Sequence, residues 1–267
     1  MCMVVNVFCI SNIKDKNAAI YIYHEGNARK SPDEVCSFLH DYLKNVPDKF
    51  TEFRLFSDNC AGQNKNQTLC RYLLSLTDTG RFKKVQQYYP IRGHSFLPCD
   101  RDFGLIKRYM KKKDRYYTLH EITGMIIECA KPGKFTVKEI QPSDVYDFKN
   151  WWSKYYKKHT VSNESANKPR SEKTIFAIST LYHFVYDSQI RGYITAYEQI
   201  NGLVHHTFQM AVVNLGVNPI IMPQNIAYPK GKVPIKQAKL ADVKYCLKWV
   251  PEEERGFLKS ILNWPKA

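Results

Sequence analysis

Residues 56–66 read F-S-D-N-C-A-G-Q-N-K-N. A short apolar run, F-R-L-F, precedes them, and Q-T-L-C-R-Y-L-L-S-L follows with helical spacing. Asp58 thus stands where a strand runs out and an amide-rich loop begins. A second acidic pair, Asp100 and Asp102, lies in I-R-G-H-S-F-L-P-C-D-R-D-F-G-L-I-K-R-Y-M, with His94 just upstream. Acids so placed suit metal-assisted phosphoryl transfer. Carboxylates there hold two Mg²⁺ or Mn²⁺ ions about 3.5–4 Å apart, which activate the attacking oxygen and stabilise the leaving one. Such hard cations take oxygen ligands. Asp58, Asp100 and Asp102 are the candidate metal ligands and catalytic acids. His94 is the candidate to orient a water, take a proton or touch a phosphate. Side chains two apart on a helix diverge by about 200°, so Asp100 and Asp102 do not grip one ion together. A plainer reading stands beside this one: Asp-Asn after a strand is turn chemistry, Asp-x-Asp before an apolar helix is capping, and a loop histidine is a surface residue.

The elements that would position these groups are legible in the pattern. Residues 4–10 and 18–23 read as a hairpin. Ser31, Pro32 and Glu34 write a capping box with proline at the first helical position. Val35, Phe38, Leu39, Tyr42 and Leu43 then form one apolar face. Residues 53–56 and 83–89 read as strands, separated by a helix over about 65–76 that buries Leu69, Tyr72, Leu73 and Leu76. Asp100 is predicted to cap a helix whose buried face is Phe103, Ile106, Tyr109 and Met110. Thr118 and Glu121 open another helix, residues 135–140 read as a strand, and Ser143 is predicted to cap an aromatic, basic helix to about Lys157. Residues 159–173 are polar and aperiodic, a predicted linker. Beyond it, residues 174–186, 192–200 and 203–215 read as an antiparallel meander, followed by helices near 238–248 and 252–262. The expected organisation is a core at 1–158, the linker, and a β-rich region with terminal helices at 174–267. The expected fold class is α/β or α+β: a mixed sheet with flanking helices, plus a small antiparallel β piece.

The net charge is +15, with a pI near 9.3. That excess favours polyanions, nucleic acid or an anionic surface. It is concentrated at Lys107, Arg108, Lys111, Lys112 and Lys113, and again at Lys154, Lys157 and Lys158 beside Trp151, Trp152, Tyr155 and Tyr156. Basic groups interleaved with aromatics suit nucleic acid, whose phosphates take the charge and whose bases stack; solvated helix faces over a core aromatic stripe give the same pattern. The eight cysteines form no C-x-x-C pair, which reads as reduced thiols in an intracellular protein. No apolar run is long enough for a membrane helix, and the amino-terminal segment reads as a strand, not a signal peptide.

Four blocks carry a family resemblance: Y-I-Y-H-E-G-N-A-R-K-S-P-D-E-V, L-F-S-D-N-C-A-G-Q-N-K-N, R-G-H-S-F-L-P-C-D-R-D-F-G-L-I-K-R, and P-I-K-Q-A-K-L-A-D-V with P-E-E-E-R-G-F. In this order they resemble a metazoan, insect-rich family of uncharacterised transposon-derived proteins, over nearly the whole chain. The family's central part resembles the ribonuclease H-like domain of DDE transposases. The resemblance implies DNA as substrate and Mg²⁺ or Mn²⁺ as ligand, with Asp58 as second acid and Asp100 or Asp102 as third. It implies that His94 and Asn59 lie near the site, and it implies a nuclear or cytoplasmic location. It also implies a first acid on a preceding strand. Neither Asp15, in the hairpin turn, nor Glu25 occupies that place, so the first strand and its acid are expected to be missing. Three readings follow: a fragment of a transposase-like protein, a degenerate inactive copy, or a domesticated protein that binds nucleic acid by its basic surface without catalysis.

Overall fold

The computed structural model describes residues 3–91, 93, 96–212, 215 and 219–267. The first half of the chain forms β1 (Val5–Asn12), β2 (Asn17–His24), α1 (Pro32–Lys44), β3 (Glu52–Phe56), α2 (Gln67–Asp78), β4 (Lys84–Tyr88), α3 (Pro98–Met110) and α4 (Leu119–Glu128). The second half forms β5 (Phe135–Glu139), α5 (Phe148–Trp151), β6 (His183–Asp187), β7 (Tyr193–Tyr197), β8 (His205–Gln209), α6 (Gln237–Cys246) and α7 (Arg255–Ile261). The class is α+β with two mixed sheets. No helix among the described residues is long and apolar enough to cross a membrane.

These elements group into two compact units, each assembled from separate stretches of chain. The first takes Met1–Arg29, Phe96–Val145 and Ile226–Ala267; the second takes Lys30–Ser95 and Tyr146–Asn225. The expected division at 159–173 is therefore not the grouping found. The segment expected as a linker packs within the second unit: Val161 bridges Ile175, Ser162 bridges Phe208, and Ser162 and Ser165 are buried.

In the first unit the sheet order is β1-β2-β5. The hairpin runs in register from Val5 opposite His24 to Asn12 opposite Asn17, and β5 joins β2 in parallel. Strand β2 is therefore central, and its Ile20 and Ile22 are fully buried. They pack with Ile106 of α3, Ile122, Met125 and Ile126 of α4, and Phe135 of β5. Thr118 caps α4 and Glu121 closes its capping box, as the sequence predicts. A separate apolar cluster of Ile235, Leu240, Val243, Val250, Leu258 and Ile261 joins α6 to α7 and gathers Met3.

In the second unit the order is β3-β4-β6-β7-β8, with β3 parallel to β4 and the remaining pairs antiparallel. The predicted meander exists, but it extends the β3–β4 pair instead of standing alone. Helix α2 is buried along its whole length from Thr68 to Asp78, which makes it the helix around which this unit packs. Ser31 and Glu34 form the predicted box at the start of α1.

Three local expectations are corrected. The helix expected from Ser143 begins later: Asp147 accepts from the Asn150 N–H and caps the short α5, while Ser143 sits in a 3₁₀ turn. Asp100 is not the N-cap of α3. The helix starts at Pro98, and Asp100, three places in from the Leu97 cap position, reaches back to accept from the Leu97 N–H at 2.9 Å. Phe103 turns outward at 36% exposure, and Asp102 takes its expected place on the inner face beside Ile106.

Candidate functional site

The loop after β3 is built by its own polar side chains. Asp58 Oδ1 accepts from the Cys60 N–H at 3.1 Å and from Asn64 Nδ2 at 2.7 Å. The Cys60 carbonyl accepts three successive N–H groups, those of Gln63, Asn64 and Lys65. Asn66 caps α2 by accepting from the Leu69 N–H at 3.0 Å. Asn59 Nδ2 donates to the Pro90 carbonyl at 2.5 Å, and its Oδ1 accepts from Lys65 Nζ at 3.0 Å. The amide-rich composition is thus explained by the loop's own hydrogen bonds, with Asp58 exposed at its start.

Lys65 is a buried cation that the sequence pattern did not single out. It donates also to the Ser179 carbonyl, and lies 4.0 Å from the Tyr182 ring centroid and 5.1 Å from that of Tyr89. Desolvation pushes its pKa down to about 8. Beneath it, Tyr89 donates to the Asn64 carbonyl, Gln87 bonds Tyr89, Tyr186 donates to Gln87 at 3.0 Å, and Tyr186 reaches Cys70 Sγ. The next residue, Arg71, is fully buried. Its Nη2 donates to the Lys157 carbonyl at 2.8 Å, and its guanidinium lies 5.0 Å from the Trp152 ring and 5.2 Å from that of Phe176. For Arg71 the available signal was a cation inside the apolar run L-C-R-Y-L-L; Lys65, between two asparagines, carried none.

The other two acids do different work. Asp100 is exposed and holds the first turn of α3. Asp102 is buried and ion-paired with Lys134 Nζ at 2.8 Å, and that lysine also donates to the Lys16 carbonyl. The two carboxylates therefore point apart, as their helical spacing demands. Asp58 belongs to the second unit, Asp100 and Asp102 to the first. Within neither unit do the predicted acids converge, and among the described residues no group of three His, Cys, Asp or Glu side chains is placed to hold a metal. The residues do not fit a two-metal centre inside either unit. His94 lies outside the described residues.

The basic residues divide in the same way. Helix α3 and its C-terminal turn expose Arg101, Lys107, Arg108, Lys111, Lys112, Lys113 and Arg115. Arg101, Gly104, Arg108 and Lys111 recur on one helix face, opposite Asp102, Ile106 and Tyr109. The cations crowd the C-terminal end, where the helix dipole favours positive charge. Around 151–158 the pattern is otherwise. Lys154 and Lys158 are exposed and Lys157 is half-buried, but the aromatics are core. Trp151 Nε1 donates to the Ile221 carbonyl at 2.6 Å, and Tyr156 donates to Asp78 at 2.8 Å. Trp151, Trp152 and Tyr156 are thus spent on packing and offer no base a platform.

A family model described as a domain of unknown function (DUF7869) matches residues 9–180. No curated protein and no solved structure matches the chain. The matched segment runs from β1 to the turn before β6 and contains Asp58, Asp100, Asp102 and all of α3.

Proposed function

We propose that this chain, which belongs to the family of the domain of unknown function DUF7869, binds nucleic acid, DNA in the first place, through the basic face of α3. The observation that carries the reading is Arg101, Lys107 and Arg108 on α3 with Lys111, Lys112, Lys113 and Arg115 in the segment that follows it, all exposed, in a chain with net charge +15. Phosphate neutralisation by such groups releases counterions, so affinity falls steeply with salt. No metal is needed for it. The transposon-derived resemblance agrees with DNA as the polyanion. Mutation of Arg101, Arg108 and Lys111 together to glutamine tests the reading. It should weaken binding to duplex DNA uniformly across sequences and lower the salt slope by about one for each phosphate contact removed. Unchanged affinity and slope would refute it.

A second reading rests on one observation. Asp58 is exposed at the C-terminal end of β3, and its hydrogen bonds among the described residues fall on Oδ1. A remnant metal-dependent nuclease or strand-transferase site would use that carboxylate, with Mg²⁺ or Mn²⁺ supplying the charge that stabilises a phosphoryl oxygen.

A further inference from the structure

One side of the five-stranded sheet carries an uninterrupted row of rings, one from each strand. The register sets Phe56 opposite Tyr88, Tyr88 opposite His183, His183 opposite Tyr197, and Tyr197 opposite His205. Phe56 and Tyr88 stack with centroids 4.8 Å apart and planes 11° from parallel. Tyr88 and His183 stack at 4.2 Å and 11°, His183 and Tyr197 at 4.8 Å and 17°. The last contact, Tyr197 to His205, opens to 5.3 Å and 39°. Neighbouring strands lie about 4.8 Å apart, so rings standing up from registered positions meet at stacking distance. The sheet itself is the template for the stack.

None of the five rings belongs to the core. Phe184, Tyr186, Ile194, Ala196 and Phe208, which alternate with them, point to the opposite side and are buried. Burial, and then the Lys84 ammonium, lower the His183 pKa. The interior rings have both faces occupied and present only edges. The row ends differently at its two sides. At β8, the His205 ring is tilted and its Nδ1 lies 3.2 Å from the Leu203 carbonyl. At the other side β3 pairs only with β4 among the described residues. There Phe56 has one face on Tyr88 and is 43% exposed.

We propose that the open face of Phe56 is a stacking platform for a nucleobase of a single-stranded nucleic acid, which continues the row past the edge of the sheet. The near-parallel planes at this end call for a planar occupant at the same spacing. The net charge of +15 calls for an anionic chain bearing it. Arg54, two positions back on the same face of β3, is well exposed, and among the described residues it pairs at 3.9 Å with similarly exposed Glu52. It is free to turn to a phosphate, because such surface pairs bind weakly. Stacking of this kind tolerates any base. The inference rests on the nucleic-acid reading but not on α3.

The test compares binding of the full chain to a short oligothymidylate and to an abasic strand of the same length. The parent chain should prefer the strand with bases by about fivefold to a hundredfold, the range expected for one stacked base. Phe56→Ala should remove that preference and leave abasic binding unchanged, while Phe56→Trp should keep it. Phe56→Ala gives up the contact with Tyr88, so its thermal midpoint should fall slightly, as expected for one cross-strand pair, while Phe56→Trp keeps it; affinities are compared well below both midpoints. Equal affinity of the parent for both strands overturns the proposal while leaving the charge-based reading intact, as does a preference that survives Phe56→Ala. Failure to bind either strand overturns the stacking proposal, and the duplex measurement decides the charge-based reading separately.

Discussion

At the scale of single residues, several side chains are held in places that make their chemistry predictable. Gly26 follows the end of β2. A methyl group there would lie 2.6 Å from Cε3 of Trp264 and closer still to Cζ3. That ring stacks on His24 at 4.9 Å. Gly26→Ala should therefore cost about 1–3 kcal/mol by overpacking, measured by denaturant unfolding, and a second change of Trp264 to Leu should recover part of it. His24 itself has its pKa lowered to about 4, first by burial and then by Lys232. The unfolded chain, with a histidine near 6.5, binds this proton more readily over the interval between those values. Stability from His24 is thus complete above about pH 6.5 and is lost as pH falls through about 4. His24→Phe, which keeps a ring against Trp264, should gain thermal midpoint relative to the parent as pH drops across that window. A constant difference at all pH values would contradict this. Asp78 shifts the other way: burial raises it to about 6, against the opposing pull of the Gly192 N–H and Tyr156 hydroxyl. For Asp58, the remnant-site reading predicts Mn²⁺ binding by calorimetry that Asp58→Asn abolishes. Absence of heat in the parent would leave Asp58 as the turn residue its bonds to Cys60 and Asn64 describe.

At the scale of elements, local signals were legible and pairings were not. Both capping boxes, Ser31 with Glu34 and Thr118 with Glu121, appear where the sequence writes them, because a cap is decided within four residues. The hairpin and α2 are equally local. The misplaced caps at Ser143 and Asp100 are slips of a few residues within one turn, whereas Asp102 was decided by a partner distant in sequence. Asp102 looked like a capping or metal acid until Lys134, on the segment before β5, reached it. The run W-W-S-K-Y-Y left open a stacking surface or a core aromatic stripe. Its rings reach Ile221, Arg71 and Asp78, distant in sequence, and Trp151, Trp152 and Tyr156 are core. The ring row was invisible for the same reason, since it needs the register of five strands to exist at all. Burial supports one firm expectation for α4: Ile126 is fully buried in a cluster with Ile20, Ile22 and Met125. Ile126→Ala should cost about 2–5 kcal/mol, read from the midpoint of denaturant unfolding.

At the scale of the whole molecule, the sequence supports the α+β class but not the way strands are shared out. The chain places β1 and β2 with β5, and β3 and β4 with the meander, a sharing of strands that local sequence pattern does not decide. Asp58 lies in one unit and Asp100 and Asp102 in the other, and the nucleic-acid reading rests on the exposed charge of α3. The basic excess of +15 is a property of the whole sequence, and α3 is where it is most densely exposed. The most direct measurement is the affinity of the full chain for duplex DNA as a function of salt concentration. The account predicts a straight line of log affinity against log salt, with a slope of about −3 to −6, as three to seven neutralised phosphates require. A flat line, or no binding at low salt, would contradict it.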